Sequence, residues 1–277
     1  MMVTVSIVMP AFNSSAYIKE SINSVLNQSF QSWELLVVDG GSKDHTLSIV
    51  REIETADSRV RLINNLNDRG PAHARAKAIA HAKGKYIAFL DADDLWLPEK
   101  LALQIEFMSE NNYLFSYTSY RKMDATGVLA SCALSTHSSF NFISGLTRRG
   151  IGSPTVVISR DLFDSYILGT IGKSHGEETL WWLLILKKGV RAYGLLKPLA
   201  LYRDTPYSLS KKVLRNQTTV WHSYRNELGV PILFAFAAYF LYLIDVFIRR
   251  LRLKVCTSIK GKILVTTLMS EGAVRVE

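Results

Sequence analysis

Residues 86–100 read YIAFLDADDLWLPEK, and the abrupt passage from an apolar run to three carboxylates in four positions decides how the chain is read. A short aromatic and aliphatic run that stops at turn-forming acids is the pattern of a buried strand. Like charges crowded at its end repel unless a cation, a ligand or solvent relieves them. Further strand candidates lie upstream at 3–9, 34–38 and 60–63, each short, β-branched or aromatic-rich and bounded by turn residues. Between them Ile18, Ile22, Val25 and Leu26 repeat at helical spacing, as do Leu47, Val50 and Ile53, and 72–83 is Ala-rich. Strand and helix alternating at this pitch predict βαβ units, a mostly parallel sheet and an open α/β sandwich.

In such a sheet ligands bind beyond the carboxyl ends of the strands, where loops and helix N-termini converge. The residues that follow the four strands are Pro10-Ala11-Phe12-Asn13, Asp39-Gly40-Gly41-Ser42, the stretch 65–71, and Asp91-Ala92-Asp93-Asp94. PAFNSS contains no glycine, which argues against a dinucleotide-binding turn. Asp-x-Asp at a strand end suits a hard divalent cation, Mn²⁺ or Mg²⁺, which takes one or two carboxylates and fills its remaining positions with phosphate oxygens and water. Asp39, at another strand end, is short enough to accept a hydrogen bond from a base or a ribose. The competing reading makes Asp39 and Asp94 caps of the helices that follow. A cap accounts for one acid and not for DADD.

Composition narrows the partners. Of the net charge of +9, the residues from Lys211 onward carry +7, so the basic excess is a tail on a nearly neutral body. That localised charge predicts attraction to a membrane surface or polyanion, and no helix-turn-helix, zinc-finger or RNP pattern points to nucleic acid. Cys132 and Cys256 show neither metal nor disulfide spacing, which fits a reducing compartment. MMVTVSIVMPAFN reads as a first strand rather than an export signal.

The segment VSIVMPAFNSSAYIKESINSVLNQSFQSWELLVVDGGSKDHT, followed by GPAHARAKAIAHAKGKYIAFLDADDLWLPEKL, resembles the nucleotide-binding half of the family 2 inverting glycosyltransferases, nearly unbroken over residues 3–105. The resemblance implies a GT-A fold, a Rossmann-like open mixed sheet with flanking helices, and transfer of a sugar from a nucleotide-diphospho-sugar. It implies that Pro10, Ala11, Asn13 and Asp39 line a nucleoside pocket, usually for uridine. By the same resemblance Arg75 lies near the diphosphate, Asp91 and Asp93 form the DxD motif, and Asp93 is the direct ligand of Mn²⁺ or Mg²⁺. The chain departs from the family pattern where Gly40 stands in place of a second acid and where Ala76 follows Ala74-Arg75.

HGEETLWWLLILKKG, residues 175–189, predicts a helix that opens on two acids and stops at Gly189. Acids in a first turn are favoured by the helix dipole alone. Inverting displacement, however, needs a carboxylate to take the acceptor hydroxyl's proton. In the resembled family that base is the second acid of an ED motif before a Trp-containing helix, which implies Glu178, with Glu177 in reserve; the family's further acid is absent, since Leu180 and Trp181 stand there. Trp181 and Trp182 read as core. The resemblance also matches Tyr202, Arg203 and Ser208 to a segment near the donor diphosphate. The looser pattern of 113–170 reads as loops around an acceptor site, with a short strand in 152–163.

The expected organisation is a catalytic domain over 1–210, with 1–110 binding the nucleotide sugar and 111–210 the acceptor, and a basic, apolar helical segment over 211–277. In that segment PILFAFAAYFLYLIDVFI precedes RRLRLK. Tyr239, Tyr242, Asp245 and Arg249 form one polar stripe, which predicts a helix lying in a membrane interface with its cations toward the headgroups. The resulting expectation is an enzyme peripheral to the cytoplasmic face of the inner membrane, acting on a glycan or polyprenyl-linked saccharide in envelope polysaccharide assembly. Two rival readings are a metal-dependent nucleotidyl- or phosphotransferase using the same acids and a non-catalytic membrane-surface scaffold.

Overall fold

Seven elements open the chain in the order the sequence predicts: β1 (Val5–Ala11), α1 (Ile18–Leu26), β2 (Trp33–Asp39), α2 (Thr46–Ala56), β3 (Val60–Asn64), α3 (Pro71–His81) and β4 (Tyr86–Phe89). The computed structural model describes residues 3–64, 70–134, 137–170, 177–205, 213–258 and 263–264. The four strands are parallel in the order β3-β2-β1-β4. Ile7, Val8, Leu35, Leu36 and Val37 are fully buried because helices cover both faces of the sheet, so β1 and β2 read as continuous rather than alternating apolar runs. α3 packs on β1 and β2 through small residues such as Ala74 and Ala78. Register pairs Ala11 with Asp39, which sets the carboxyl ends of β1 and β2 level.

The remaining elements are β5 (Leu95–Trp96), α4 (Lys100–Glu110), β6 (Phe115–Asp124), β7 (Val128–Leu134), β8 (Ser139–Phe140), α5 (Phe142–Thr147), β9 (Val156–Ser159), α6 (Ser165–Leu168), α7 (Glu177–Lys187), β10 (Ala192–Asp204), α8 (Val213–His222), α9 (Ile232–Ser258) and β11 (Ile263–Leu264). β9 runs antiparallel between β4 and β6 and so joins the two halves in one mixed sheet. β10 runs parallel to β6, with register shifts around Pro198, and antiparallel to β5 and β8. The stretch read as loops from sequence therefore contains β6 and β7. The reason lies in β6, where Ser116, Thr118 and Ser119 are buried and break the apolar pattern; Gln104 on α4 donates to Ser116 Oγ at 3.0 Å.

α7 is apolar all round from Leu180 to Leu186, and every one of those residues is buried. Trp182 meets Phe89 edge-on at 5.2 Å and Phe115 at 5.4 Å between ring centroids, so it is core, as is fully buried Trp181. Gly189 closes the helix at φ +89°, a conformation an L side chain rarely adopts.

α9 reverses one expectation. Its polar stripe does not face outward: Tyr242 is buried, Asp245 Oδ2 accepts the Arg149 backbone N–H at 2.8 Å just beyond α5, and Arg249 Nε lies 3.6 Å from Asp245. Ala235 and Ala238 complete this inner face. A carboxylate amid apolar side chains is stabilised by donors, and the body supplies one, so the stripe turns inward and the apolar arc outward.

Candidate active site

The site forms where the ends of β1, β2 and β4 meet the N-terminus of α7. Asp39 ends β2 with its carboxylate buried, and its Oδ2 accepts the backbone N–H groups of Gly41 and Ser42 at 2.9 and 3.0 Å. Ser42 Oγ donates to Asp39 Oδ1 and accepts the Asn13 N–H at 2.8 Å. Asn13, at φ 47°, returns its Oδ1 to the Lys43 N–H at 2.9 Å. The loops after β1 and β2 are thereby laced together. Farther along them Thr46 Oγ1 accepts the Ser14 N–H at 2.8 Å and Asp44 Oδ2 accepts the Ser15 N–H at 3.0 Å. Burial works to raise the Asp44 pKa, but hydrogen bonds from Thr46 and Ser15 outweigh it and hold the carboxyl well below the usual range. Pro10 is half-buried and Ala11 buried beneath this platform, while Phe12 stands exposed above it.

Asp39 thus does bind loop N–H groups, as the cap reading expects, yet the residue before α2 is His45. Asp94 caps no helix at all: Glu99 precedes α4. Instead Asp94 Oδ1 accepts the Arg203 backbone N–H at 2.8 Å, tying the DADD turn to β10, and its Oδ2 finds no partner among the described residues. Burial, then the charges of Asp91 and Asp93, drive the Asp94 pKa well up. The same two causes, burial first and then the Asp91 charge, push Asp93 up to about 6.

Arg203 sits beneath the turn. Its Nε donates to the Asp93 carbonyl at 2.8 Å, Nη2 to Glu20 Oε2 at 2.6 Å, and its guanidinium lies 4.7 Å from the Tyr17 ring centroid. Ser21 Oγ donates to the Ala92 carbonyl at 2.9 Å and Ser24 Oγ accepts the Trp96 N–H at 3.2 Å, so α1 holds the turn from the other side. Tyr202 packs against Tyr120 at 6.2 Å between centroids. Ser208 lies outside the described residues, as does the 65–69 part of the third strand-end loop.

Arg75 joins the halves. It projects from α3, is buried, and donates through Nη2 to Asp91 Oδ1 and through Nη1 to Glu178 Oε1. Glu178 stands in the first turn of α7 and remains partly exposed; Glu177 starts the helix, but its side chain lies outside the described residues. The strand-end acid and the helix acid are therefore within reach of one guanidinium. Glu20 and Ser42 were not legible as parts of this site. Ser42 carries a local signal, an Asp with a hydroxyl three residues on in a Gly-rich turn, whereas the Glu20–Arg203 pair spans 183 positions and carries none.

Asp91 and Asp93 fit a divalent cation by the chemistry of their donor set: both are half-buried rather than sealed, and two carboxylates leave positions for phosphate oxygens and water. Among the described residues no cluster of three or more His, Cys, Asp or Glu is arranged to hold an ion by protein ligands alone.

Comparison with known proteins agrees with this geometry. The Glycosyl transferase family 2 profile matches residues 6–172. The chain is 36% identical over 221 residues to the putative teichuronic acid biosynthesis glycosyltransferase TuaG of Bacillus subtilis (strain 168), covering 80% of this chain and 87% of that one. It is 35% identical over 218 residues to the UDP-Glc:alpha-D-GlcNAc-diphosphoundecaprenol beta-1,3-glucosyltransferase WfgD of Escherichia coli, covering 78% and 83%. Among solved structures, the mannosyltransferase PcManGT from Pyrobaculum calidifontis in complex with GDP-Man and Mn²⁺ superposes with a TM-score of 0.65 at 17% identity, covering 97% of this chain and 79% of that one. S. aureus TarS in complex with UDP-GlcNAc gives 0.64 at 19% identity, covering 88% and 72%. These two establish the GT-A architecture of the mixed sheet. With the profile running from β1 to beyond α6 and the relatives matched over most of their length, the chain belongs to glycosyl transferase family 2.

Proposed function

We propose that the chain is an inverting glycosyltransferase that moves a hexosyl group from a UDP-sugar to a lipid-linked saccharide at the cytoplasmic face of a membrane. The observation that carries this reading is the bridge of Arg75 between Asp91 and Glu178, which draws together an acid of the donor half and an acid of the acceptor half. Asp39, Asn13, Pro10 and Ala11 form the nucleoside platform. Asp91 and Asp93 would hold Mn²⁺ or Mg²⁺, which when bound neutralises charge on a diphosphate leaving group. Arg75 offers the diphosphate a guanidinium already aimed into the site. Arg203, bound to Glu20 and the Asp93 carbonyl, shapes the turn that presents the acids rather than reaching for the donor.

Glu178 takes the proton from the acceptor hydroxyl as its oxygen bonds to the anomeric carbon and the bond to the diphosphate breaks on the opposite face. The nucleoside diphosphate leaves with that electron pair, and the anomeric configuration inverts. Before donor binds, Glu178 is held by Arg75; a diphosphate that draws Arg75 away releases the carboxylate for this role. The relatives' names support the choice of a UDP-sugar and a diphosphoundecaprenol-linked acceptor.

Thermal unfolding with UDP or GDP, with and without Mn²⁺, tests the donor side. Ligand at 100 times its dissociation constant should raise the midpoint by about 5–10 °C. Glu178→Gln should keep that shift and lose transfer by about 10²–10⁴-fold, the usual contribution of a general base. Near-normal turnover in Glu178→Gln would remove Glu178 from the mechanism, and release of pyrophosphate from a free nucleoside triphosphate would replace glycosyl transfer by nucleotidyl transfer.

A further inference from the structure

α9 presents an apolar surface that nothing else in the fold explains. Ile232–Leu251 is long and apolar enough to cross a bilayer by length and composition, about 30 Å at 1.5 Å per residue. Its residues, however, divide sharply by face. Leu233, Phe236, Phe240, Leu243, Phe247 and Leu251 are exposed, and at 100° per residue the exposed arc covers about half the helix circumference. The opposite face, Ala235, Ala238, Tyr242, Asp245 and Arg249, lies on the body from the second turn to the fifth.

A helix so covered cannot be surrounded by lipid without carrying the body into hydrocarbon. That move would bury Arg148 and Arg149, which are exposed beside the Asp245 contact. A different placement suits the basic residues. Exposed Arg250 flanks the apolar arc and the sequence adds Arg252 and Lys254 immediately beyond, while exposed Arg148 and Arg149 stand on the body side of the helix, with the Arg149 guanidinium 5.5 Å from the Tyr242 ring centroid. Trp221 on α8 marks another border, packed on Phe236 at 4.7 Å and on Tyr239 at 5.7 Å between ring centroids. Aromatic side chains with one polar edge and basic residues at the margin of an apolar strip are the pattern of a helix lying in a headgroup layer.

We infer that α9 docks the protein on an anionic bilayer as an in-plane helix, with the apolar arc in the acyl boundary and Arg148, Arg149 and Arg250 at headgroup level. The inference rests on the proposed lipid-linked acceptor for its purpose and on the two faces of α9 for its geometry. Membrane contact comes from the face opposite the polar stripe. The catalytic body then stays on the side from which α9 entered, and no part of it crosses.

The test uses the full chain and vesicles of phosphatidylcholine alone or with phosphatidylglycerol. Co-sedimentation should rise with the anionic lipid, by roughly fivefold for each basic residue engaged. Leu233→Ser/Phe240→Ser/Phe247→Ser should lose binding at least tenfold on the same vesicles, with an unchanged thermal midpoint as the control for folding. Expressed with a C-terminal tag and recovered in sealed inside-out vesicles, the protein should lose its tag to external protease. A protected tag would mean a spanning helix and overturn the inference. So would full vesicle binding by the triple variant, or a dimer that the triple variant converts to monomer while wild type ignores vesicles, which would make the arc a contact with a second copy. UDP-dependent thermal shifts measured without lipid report on the donor site separately, so failure there leaves the docking result intact.

Discussion

At the scale of single residues, buried charge shows what the fold tolerates near its site. Lys100, in the first turn of α4 just after the DADD turn, is fully buried, with Nζ 2.8 Å from Gln104 Oε1 and 4.0 Å from the Trp96 ring centroid. Burial alone drives its pKa well below 10.5. The folded value thus lies under the unfolded one, and between them the unfolded chain holds a proton that the folded chain does not. Stability should rise with pH across that window and be lost as pH falls through it. Lys100→Met should remove this component, so that the difference between wild type and variant in urea unfolding changes by about 1.4 kcal/mol per pH unit within the window and is flat below it. A constant difference from pH 7 to 10 would show that Lys100 stays charged in the folded state. Asp39, Asp91 and Asp93 were legible as strand-end acids, because strand ends can be placed from apolar runs and turn residues, whereas Arg75 on α3 and Glu178 on α7 were singled out only by the family resemblance; the structure brings all five to one end of the sheet. Their partners were not legible. Ser42 offers only the local signal of a hydroxyl three residues after Asp39, and Glu20, Asp94 and Arg203 meet only after 109 or more positions of chain have folded back.

At the scale of elements, the first half follows its sequence pattern because each strand is covered on both faces and each helix on one. The second half does not: β6 buries three polar side chains, and β10 shifts register around Pro198, so neither keeps a period that spacing can detect. α7 is the exception there. Its unbroken apolar run identifies a buried helix, and its first turn carries Glu178. The position of the proposed base therefore depends on packing four residues further on. Trp182 fills the space between Phe89 and Phe115, next to the strand that delivers the DxD acids. Trp182→Ala should cost about 3–5 kcal/mol of stability, as removal of a buried large aromatic does. Because the cavity opens one helical turn from Glu178, kcat should fall more than KM for the donor rises. Trp182→Phe, which keeps most of the volume, should recover both. Equal loss of kcat in both variants would show that α7 is positioned by something other than this contact.

At the scale of the whole molecule, α9, α5 and α7 form a continuous path from the apolar arc to the proposed base. α5 packs against α9 on one side and α7 on the other, and Asp245 accepts the Arg149 N–H where the chain leaves α5. Arg249 attends the same carboxylate, which keeps a charged group acceptable at an otherwise apolar junction. This explains why Asp245 is compatible with so apolar a helix: it belongs to the seam between helix and body, not to the surface offered to lipid. Asp245→Ala should loosen that seam, costing about 0.5–1.5 kcal/mol, the net worth of one hydrogen bond, since the exposed Arg149 N–H can turn to water instead. It should leave the UDP-dependent thermal shift unchanged, because the proposed nucleoside platform lies at the ends of β1 and β2, away from α9. It should also leave vesicle binding near wild type, since the apolar arc is untouched. What should fall is transfer to an acceptor embedded in vesicles, while transfer to a short soluble acceptor stays within about twofold. If both transfers fell together, the seam would be holding α7 itself in place. If neither fell, α9 would be a tether whose orientation relative to the body has no bearing on the reaction.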